Sequence, residues 1–249
     1  MIELSVMLPM YRCKYIGWLS LTSLCRQKDI DFEWELIVAE EQDDLYHGLE
    51  GWEECLESAG CTRILYMPLD KHISLGEKYY KLIRATSSTS KSIVLQDADV
   101  YAYPTRLKQT YEVFKDPGSP EWFKNDKCIF YDIYTEHVAP YTYTNKSPQG
   151  CWISMSRDRA YSHIVNQVKV RGLNKWLYRV LSPKEVVTSE EGWKYGLHTH
   201  GFNNISIKRR SRILSRNSSF NLEDIIPPDV SKRLKELKSS NALQEWKLL

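Results

Sequence analysis

The 249-residue sequence has no apolar run near the roughly 18–20 residues that a bilayer-spanning helix needs, so no membrane span is expected. Its first residues, Met1-Ile2-Glu3, put no basic segment ahead of an apolar one, and a secretory leader is not expected either. Cys13, Cys25, Cys55, Cys61, Cys128 and Cys151 form no Cys-x-x-Cys pair, which disfavours both a structural zinc site and a thioredoxin-like site. The expectation is a cytoplasmic protein with reduced thiols. Glycine and proline are also few, 11 and 10 residues, against 42% apolar and 27% charged residues; that balance belongs to one globular domain, not to a disordered or fibrous chain.

Net charge is nearly absent at +2, but its distribution is uneven. Residues 1–125 carry 14 Lys/Arg and 20 Asp/Glu, and residues 126–249 carry 20 and 12, so the halves hold −6 and +8 and are suited to different partners. Short apolar runs at Leu4 to Leu8, Leu36 to Ala39, Ile64 to Met67 and Ile93 to Gln96 recur at about 30-residue spacing, each apolar enough for a strand buried on both faces. Between them, Trp18, Leu21 and Cys25, then Leu75, Tyr79 and Leu82, form helical stripes. Leu107, Tyr111 and Phe114 form a third behind Pro104, which is placed as a first-turn proline. This rhythm of strand, crossover helix and parallel strand predicts an α/β fold. After Pro117 the pattern breaks and aromatics become dense. A charged helix closes the chain from Asp229 to Trp246, with Val230, Leu234 and Leu237 on one face.

In an α/β sheet, chemistry is sought in the loops at the carboxyl ends of the strands. The first of these, Pro9-Met10-Tyr11-Arg12-Cys13-Lys14, has no glycine, which disfavours both G-x-G-x-x-G and a P-loop, because only glycine lets backbone amides come that close to phosphate. Met10 and Tyr11 could still pack against a flat ring. The fourth strand runs into Gln96-Asp97-Ala98-Asp99, and in extended chain the two carboxylates point to one face. Hard oxygen donors there suit Mg2+ or Mn2+ carried by a diphosphate; otherwise one Asp caps the next helix and the other is solvated. The loop after the second strand, Glu40-Glu41-Gln42-Asp43-Asp44, is acidic and either accepts hydrogen bonds from a nucleobase or ribose or is an exposed acidic loop.

Taken in order, these segments resemble a GT-A glycosyltransferase of the family-2 type. Ser5-Val6-Met7-Leu8-Pro9-Met10-Tyr11-Arg12 matches the opening S-V-I-I-P-x-Y-N with Arg for Asn, and Ser23-Leu24-Cys25-Arg26-Gln27 matches S-L-x-x-Q. Ile37-Val38-Ala39-Glu40-Glu41-Gln42-Asp43 stands for I-V-V-D-D-G-S with both aspartates lengthened and the glycine lost. Gln96-Asp97-Ala98-Asp99 stands for L-D-x-D, and Gly76 with Lys78 stands where the family has a glycine and a basic residue. Ser189-Glu190-Glu191 followed by Gly201 resembles the T-E-D segment, and Gly150-Cys151-Trp152 the glycine before the acceptor-side strand. The processive-synthase motif Q-x-x-R-W is missing.

The resemblance implies a mostly parallel, Rossmann-like GT-A sheet with helices on both faces and an acceptor-side subdomain. Residues 1–116 would be the nucleotide-sugar-binding half, 117–228 the acceptor-binding and catalytic half, and 229–249 a C-terminal helix. It implies a UDP-sugar donor held by Pro9, Tyr11, Arg12, Glu41, Lys78 and Asp97. Asp99 would hold Mn2+ or Mg2+, with Asp97 on the ion or the ribose, and Lys78 or Arg84 would assist at the diphosphate. Transfer passes through an oxocarbenium-like state while charge grows on the leaving diphosphate, which a divalent ion neutralises. Glu191 is the expected general base, with Glu190 as its substitute, and one base opposite the leaving group implies inversion. In an extended His198-Thr199-His200, His200 would complete the metal shell, as a histidine does in some GT-A enzymes; the alternative is ordinary packing or hydrogen bonding.

The acceptor expected from the resemblance is a hydroxyl of a saccharide or glycolipid. A hydroxylated base in DNA is the second acceptor class, motivated by 13 Lys/Arg against 4 Asp/Glu in residues 157–216, a balance of +9 that includes Lys208-Arg209-Arg210-Ser211-Arg212 and Arg216. The same stretch also reads as a solvated loop. Aromatics at Tyr141, Tyr143, Trp152, Trp176, Tyr178 and Trp193 offer stacking surfaces for sugars or bases, or simply pack. The other classes are a non-enzymatic nucleic-acid or glycan-binding module on a degenerate GT-A scaffold, and a nucleotidyltransferase.

Overall fold

The computed structural model describes residues 1–11, 13–41, 49–125, 127–142, 153–164, 186–189, 196–200 and 220–240. Strand β1 (Leu4–Met10) is buried along its whole length, and so is β2 (Trp34–Glu41). That is the condition of strands covered on both faces, and it explains why their sequences read as apolar runs without alternation. Met7, Ile37, Ile93 and Leu95 face one side of the sheet, whereas Leu4, Val6, Leu8, Leu36, Val38 and Val94 face the other.

The large sheet continues through β3 (Cys61–Leu69), β4 (Ser92–Leu95), β6 (Trp122–Asn125), β9 (Ile153–Ser156) and β10 (Val186–Ser189), in the order β10-β6-β9-β4-β1-β2-β3. Only β9 runs against its neighbours; the β1–β2, β2–β3, β1–β4 and β6–β10 pairs are all parallel. The mostly parallel sheet is therefore as expected. A smaller sheet, in the order β5-β11-β7-β8, consists of β5 (Val100–Tyr101), β7 (Lys127–Asp132), β8 (His137–Thr142) and β11 (Leu197–His200). Each sheet draws strands from both sides of residue 117.

Helices cover both faces of the large sheet. On one face, α3 (Leu75–Ala85) and α5 (Arg157–Ile164) bury Tyr79, Leu82, Ile83 and Ala160. On the other, α1 (Gly17–Cys25), α2 (Glu53–Ser58) and α4 (Arg106–Phe114) bury Leu21, Leu24, Leu56 and Leu107. The outer face of α1 puts Trp18 and Leu19 against the small sheet and the last described helix, α6 (Pro228–Ser239), through Val230 and Leu234. Ser74 and Glu77 form a capping box that starts α3, worth about 1 kcal/mol.

Several local expectations are corrected. β3 is an edge strand, so much of it is exposed or half-buried rather than covered on both faces. Leu75 is exposed because it occupies the first turn of α3, beyond the buried stripe. Pro104 precedes the Thr105 N-cap of α4 instead of standing in its first turn. Helix α6 ends at Ser239, and residues 241–249 lie outside the described residues. Among the described residues, no helix is long and apolar enough to cross a membrane.

Candidate active site

The strand order makes one position special. The chain moves outward from β1 to β2 and β3, then returns to β4 on the other side of β1, so the crevice between the carboxyl ends of β1 and β4 is the topological switch point where open α/β sheets bind ligands. Met10 ends β1 there with Tyr11 next after it, and Gln96-Asp97-Ala98-Asp99 follows β4.

Glu40 and Glu41 are the last two residues of β2, not part of an exposed loop, and are 2% and 3% exposed. Gln42, Asp43 and Asp44 lie outside the described residues. The Glu41 carboxylate is held by Lys78 Nζ at 2.6 Å, by His72 Nδ1 at 2.9 and 3.1 Å from its two oxygens, and by the Ile73 amide at 3.3 Å. Lys78, buried on α3, also donates to the Met10 carbonyl at 2.8 Å and lies 5.0 Å from the Tyr11 ring centroid, a cation–π contact. Glu40 accepts from Tyr66 Oη at 2.8 Å, and burial together with that bond pushes the Tyr66 phenol up to about 12.

Above this buried charge, Tyr11 and His72 present two rings, 41% and 62% exposed, with centroids 4.7 Å apart and tilted by 44°. Pro9 is buried one turn of the pleat below, and Arg12 lies outside the described residues. Tyr11 is also tied to Cys13: the Tyr11 amide donates to Sγ, and the thiol donates to the Tyr11 carbonyl, both at 3.2 Å. Burial raises the Cys13 thiol well above its ordinary range, which keeps it neutral.

Asp97 and Asp99 are half-buried. Tyr79 Oη reaches Asp97 Oδ1 at 3.3 Å. Among the described residues, no group of three His, Cys, Asp or Glu side chains is placed to hold a metal ion. Two hard carboxylates on one half-buried turn fit an ion that keeps water or phosphate oxygens as its other ligands, as Mg2+ and Mn2+ do. β11 pairs with β5 just beyond this turn, and both the amide and the hydroxyl of Thr199 donate to the Asp99 carbonyl, at 3.0 and 2.9 Å. His198-Thr199-His200 is thus extended strand rather than helix, and its backbone abuts the acidic turn; the His198 and His200 side chains lie outside what is described.

Glu190, Glu191, Gly150-Cys151-Trp152, Gly201 and the basic stretch 208–216 also lie outside the described residues, as do Tyr143, Trp176, Tyr178 and Trp193. The structure therefore brings together Pro9, Tyr11, Glu41, Asp97 and Asp99 at the carboxyl ends of β1, β2 and β4, with Lys78 reaching them from α3. Arg84, in the last turn of α3, donates to Tyr80 Oη at 2.9 Å. Sequence reasoning missed His72, whose position ahead of the Ser74 cap carries no motif. It also missed Arg106, whose only signal is the polar Gln96 at a position that is leucine in the resembled signature.

No protein-family model matches the chain, and no curated protein matches it by sequence. Solved structures do. Staphylococcus aureus TarS 1–349 in complex with UDP-GlcNAc superposes with a TM-score of 0.59 at 12% identity, covering 99% of this chain and 72% of that one. The mannosyltransferase PcManGT from Pyrobaculum calidifontis, in complex with GDP-Man and Mn2+, gives 0.57 at 11% identity, covering 99% and 73%. Against the longer S. aureus TarS chain the TM-score is 0.54 at 12% identity, and this chain spans 37% of that length. The chain has the GT-A glycosyltransferase fold.

Proposed function

We propose that this chain is a glycosyltransferase that moves a sugar from a nucleotide sugar, a UDP-sugar, to a hydroxyl of a saccharide or glycolipid, with inversion at the transferred carbon. The observation that carries the proposal is the half-buried pair Asp97 and Asp99 on the turn after β4, at the switch point of a GT-A sheet, beside the Tyr11, Glu41 and Lys78 cluster. The solved neighbours support it, since one is described with UDP-GlcNAc and another with GDP-Man and Mn2+.

In this reading Asp99, with Asp97 on the ion or the ribose, holds Mn2+ or Mg2+. When bound, the ion supplies positive charge against the leaving diphosphate. Tyr11 offers an exposed ring face for the base, and Lys78 and Glu41 fix its surroundings from below. Glu191 takes the proton from the acceptor hydroxyl, with Glu190 as the alternative base, and His200 is the candidate for a further ligand. The +9 balance of residues 157–216 favours an anionic acceptor and keeps a hydroxylated base in DNA as the second reading.

A thermal-shift screen of UDP- and GDP-sugars with and without Mn2+, followed by transfer assays on glycans and on hydroxymethylated DNA, tests the proposal. At ligand about 100-fold above Kd, linkage predicts roughly 2.7 kcal/mol of stabilisation and a Tm rise of about 5–10 °C. A chain that no nucleotide sugar stabilises, with or without Mn2+, is not such an enzyme. DNA binding that is absent even at low salt removes the second reading.

A further inference from the structure

Arg106 is 1% exposed, although it is the first residue of α4 and carries a permanent charge. Its guanidinium lies directly behind the acidic turn. Nη1 donates to the Gln96 side-chain oxygen, and Nη2 donates to the Leu95 carbonyl at 2.6 Å. Gln96 is itself fully buried, and its amide nitrogen donates to the Asp97 carbonyl at 3.3 Å and to the Val100 carbonyl at 2.9 Å. The Asp97 carbonyl also accepts from the Val100 amide at 3.3 Å, and Thr199 holds the Asp99 carbonyl from the other side. Thus the carbonyls of Leu95, Asp97, Asp99 and Val100 are all fixed by groups from α4, β11 or Gln96, while the carboxylates of Asp97 and Asp99 stay half-exposed.

We infer that Arg106 and Gln96 are positioning residues for the Asp97–Asp99 pair: a buried two-residue relay that sets the turn's backbone so that both carboxylates meet one divalent ion. The inference rests on the proposed role of that turn. Its physical basis is that a metal site needs donors held to within a fraction of an ångström, and that groups behind the ligands set their orientation. A leucine at position 96, as in the resembled signature, would take from the Arg106 guanidinium the Gln96 acceptor and from the Asp97 and Val100 carbonyls the Gln96 amide. In this chain the two polar residues therefore act together.

The test separates positioning from stability. Removing one partner leaves a buried polar group unsatisfied, whereas replacing both with apolar groups of similar shape can be nearly neutral for folding. Wild type, Gln96→Leu, Arg106→Met and the double variant are compared by Tm and by Mn2+ affinity in the presence of UDP, measured by titration calorimetry and by Mn2+ electron paramagnetic resonance. The single variants are expected to lose Tm. The double variant is expected to cost less Tm than the two single changes added together, because neither the guanidinium nor the Gln96 oxygen is left orphaned, and to bind Mn2+ about 10- to 100-fold more weakly than wild type. Arg106→Lys, which keeps the charge but not the fork, is expected to fall between. A double variant that binds Mn2+ as tightly as wild type, whatever its Tm, overturns the inference alone. Wild-type protein that takes up no Mn2+ with UDP overturns the inference together with the metal-dependent function from which it starts.

Discussion

Lys78 Nζ lies 2.6 Å from Glu41 Oε1, and the two side chains are 3% and 2% exposed. The pair joins the carboxyl end of β2 to α3 beneath the ring of Tyr11. Its members depend on each other: either one alone would be a buried charge with part of its compensation removed. Lys78→Met is therefore expected to destabilise the fold by about 3 kcal/mol or more, even though His72 and the Ile73 amide still hold Glu41. Lys78→Met with Glu41→Gln should cost clearly less than the sum of the two single changes. Urea denaturation of the four proteins measures the coupling; strict additivity would mean that the ion pair contributes no interaction of its own.

The acidic turn gives the sharpest activity prediction. Asp99→Ala removes a carboxylate but keeps the backbone carbonyl that Thr199 binds, so the fold should be retained. Transfer should fall by about 10²-fold or more, the scale on which a lost electrostatic stabiliser is felt. Glu191→Gln should lower kcat by about 10²- to 10⁴-fold while leaving nucleotide-sugar binding near wild type, because a general base acts on the acceptor side. Circular dichroism checks the fold, calorimetry the donor and a coupled assay the rate. Full activity in Asp99→Ala removes its metal role, and full activity in Glu191→Gln moves the base elsewhere.

How much of this could be read from the chain depends on where the stabilising partners lie. β1 and β2 were legible because both of their faces are covered, which leaves an uninterrupted apolar run in the sequence. Asp97 and Asp99 were legible because a strand end is a local feature. Glu40 and Glu41 looked like loop acids because their burial depends on Tyr66, His72 and Lys78, which reach them from other elements. The antiparallel insertion of β9 between β4 and β6 has no local signal at all, since pairing partners 29 and more residues apart leave no trace in periodicity. Arg106 failed for a related reason: its place in the first turn of a helix suggests solvent, and its burial is matched by acceptors from another element, the Gln96 side chain and the Leu95 carbonyl.

Acid should weaken the ties that hold α6 in place. Glu223 is held down to about 2 by Lys235, by its own backbone amide and by the Ser231 hydroxyl, and Asp229 is held below its ordinary value chiefly by Arg26, at 2.7 and 3.3 Å. Both carboxyls have folded-state values below their unfolded ones. Their contribution is therefore present above about pH 4.5 and disappears as pH falls toward about 2. Because Glu223 is nearly half-exposed, solvent screening keeps the effect small. Glu223→Gln should lower Tm slightly at pH 6, and the difference should shrink to a small remainder at pH 2, where the folded-state carboxyl is about half protonated. A Tm difference that persists undiminished at pH 2 would assign the effect to packing instead of charge.

Thiol reactivity reports whether the platform around Tyr11 exists in solution. The thiolate is the reactive form, and burial raises the Cys13 and Cys25 thiols above their ordinary range and pushes Cys61 up to about 11. Cys55 is exposed on α2, whereas Cys13, Cys61 and Cys128 are buried. With dithionitrobenzoate at pH 7.5, Cys55 should react first among these residues, and Cys13 only at the rate of unfolding; peptide mapping after alkylation identifies the order. Cys13 matters most because its sulfur is bonded to both the amide and the carbonyl of Tyr11. If Cys13 reacted as fast as Cys55, the segment after β1 would open to solvent in the native protein, and the Tyr11 ring would have to be ordered by its ligand instead of being held ready for it. Slow labelling that UDP does not change is the outcome expected of a preformed base platform.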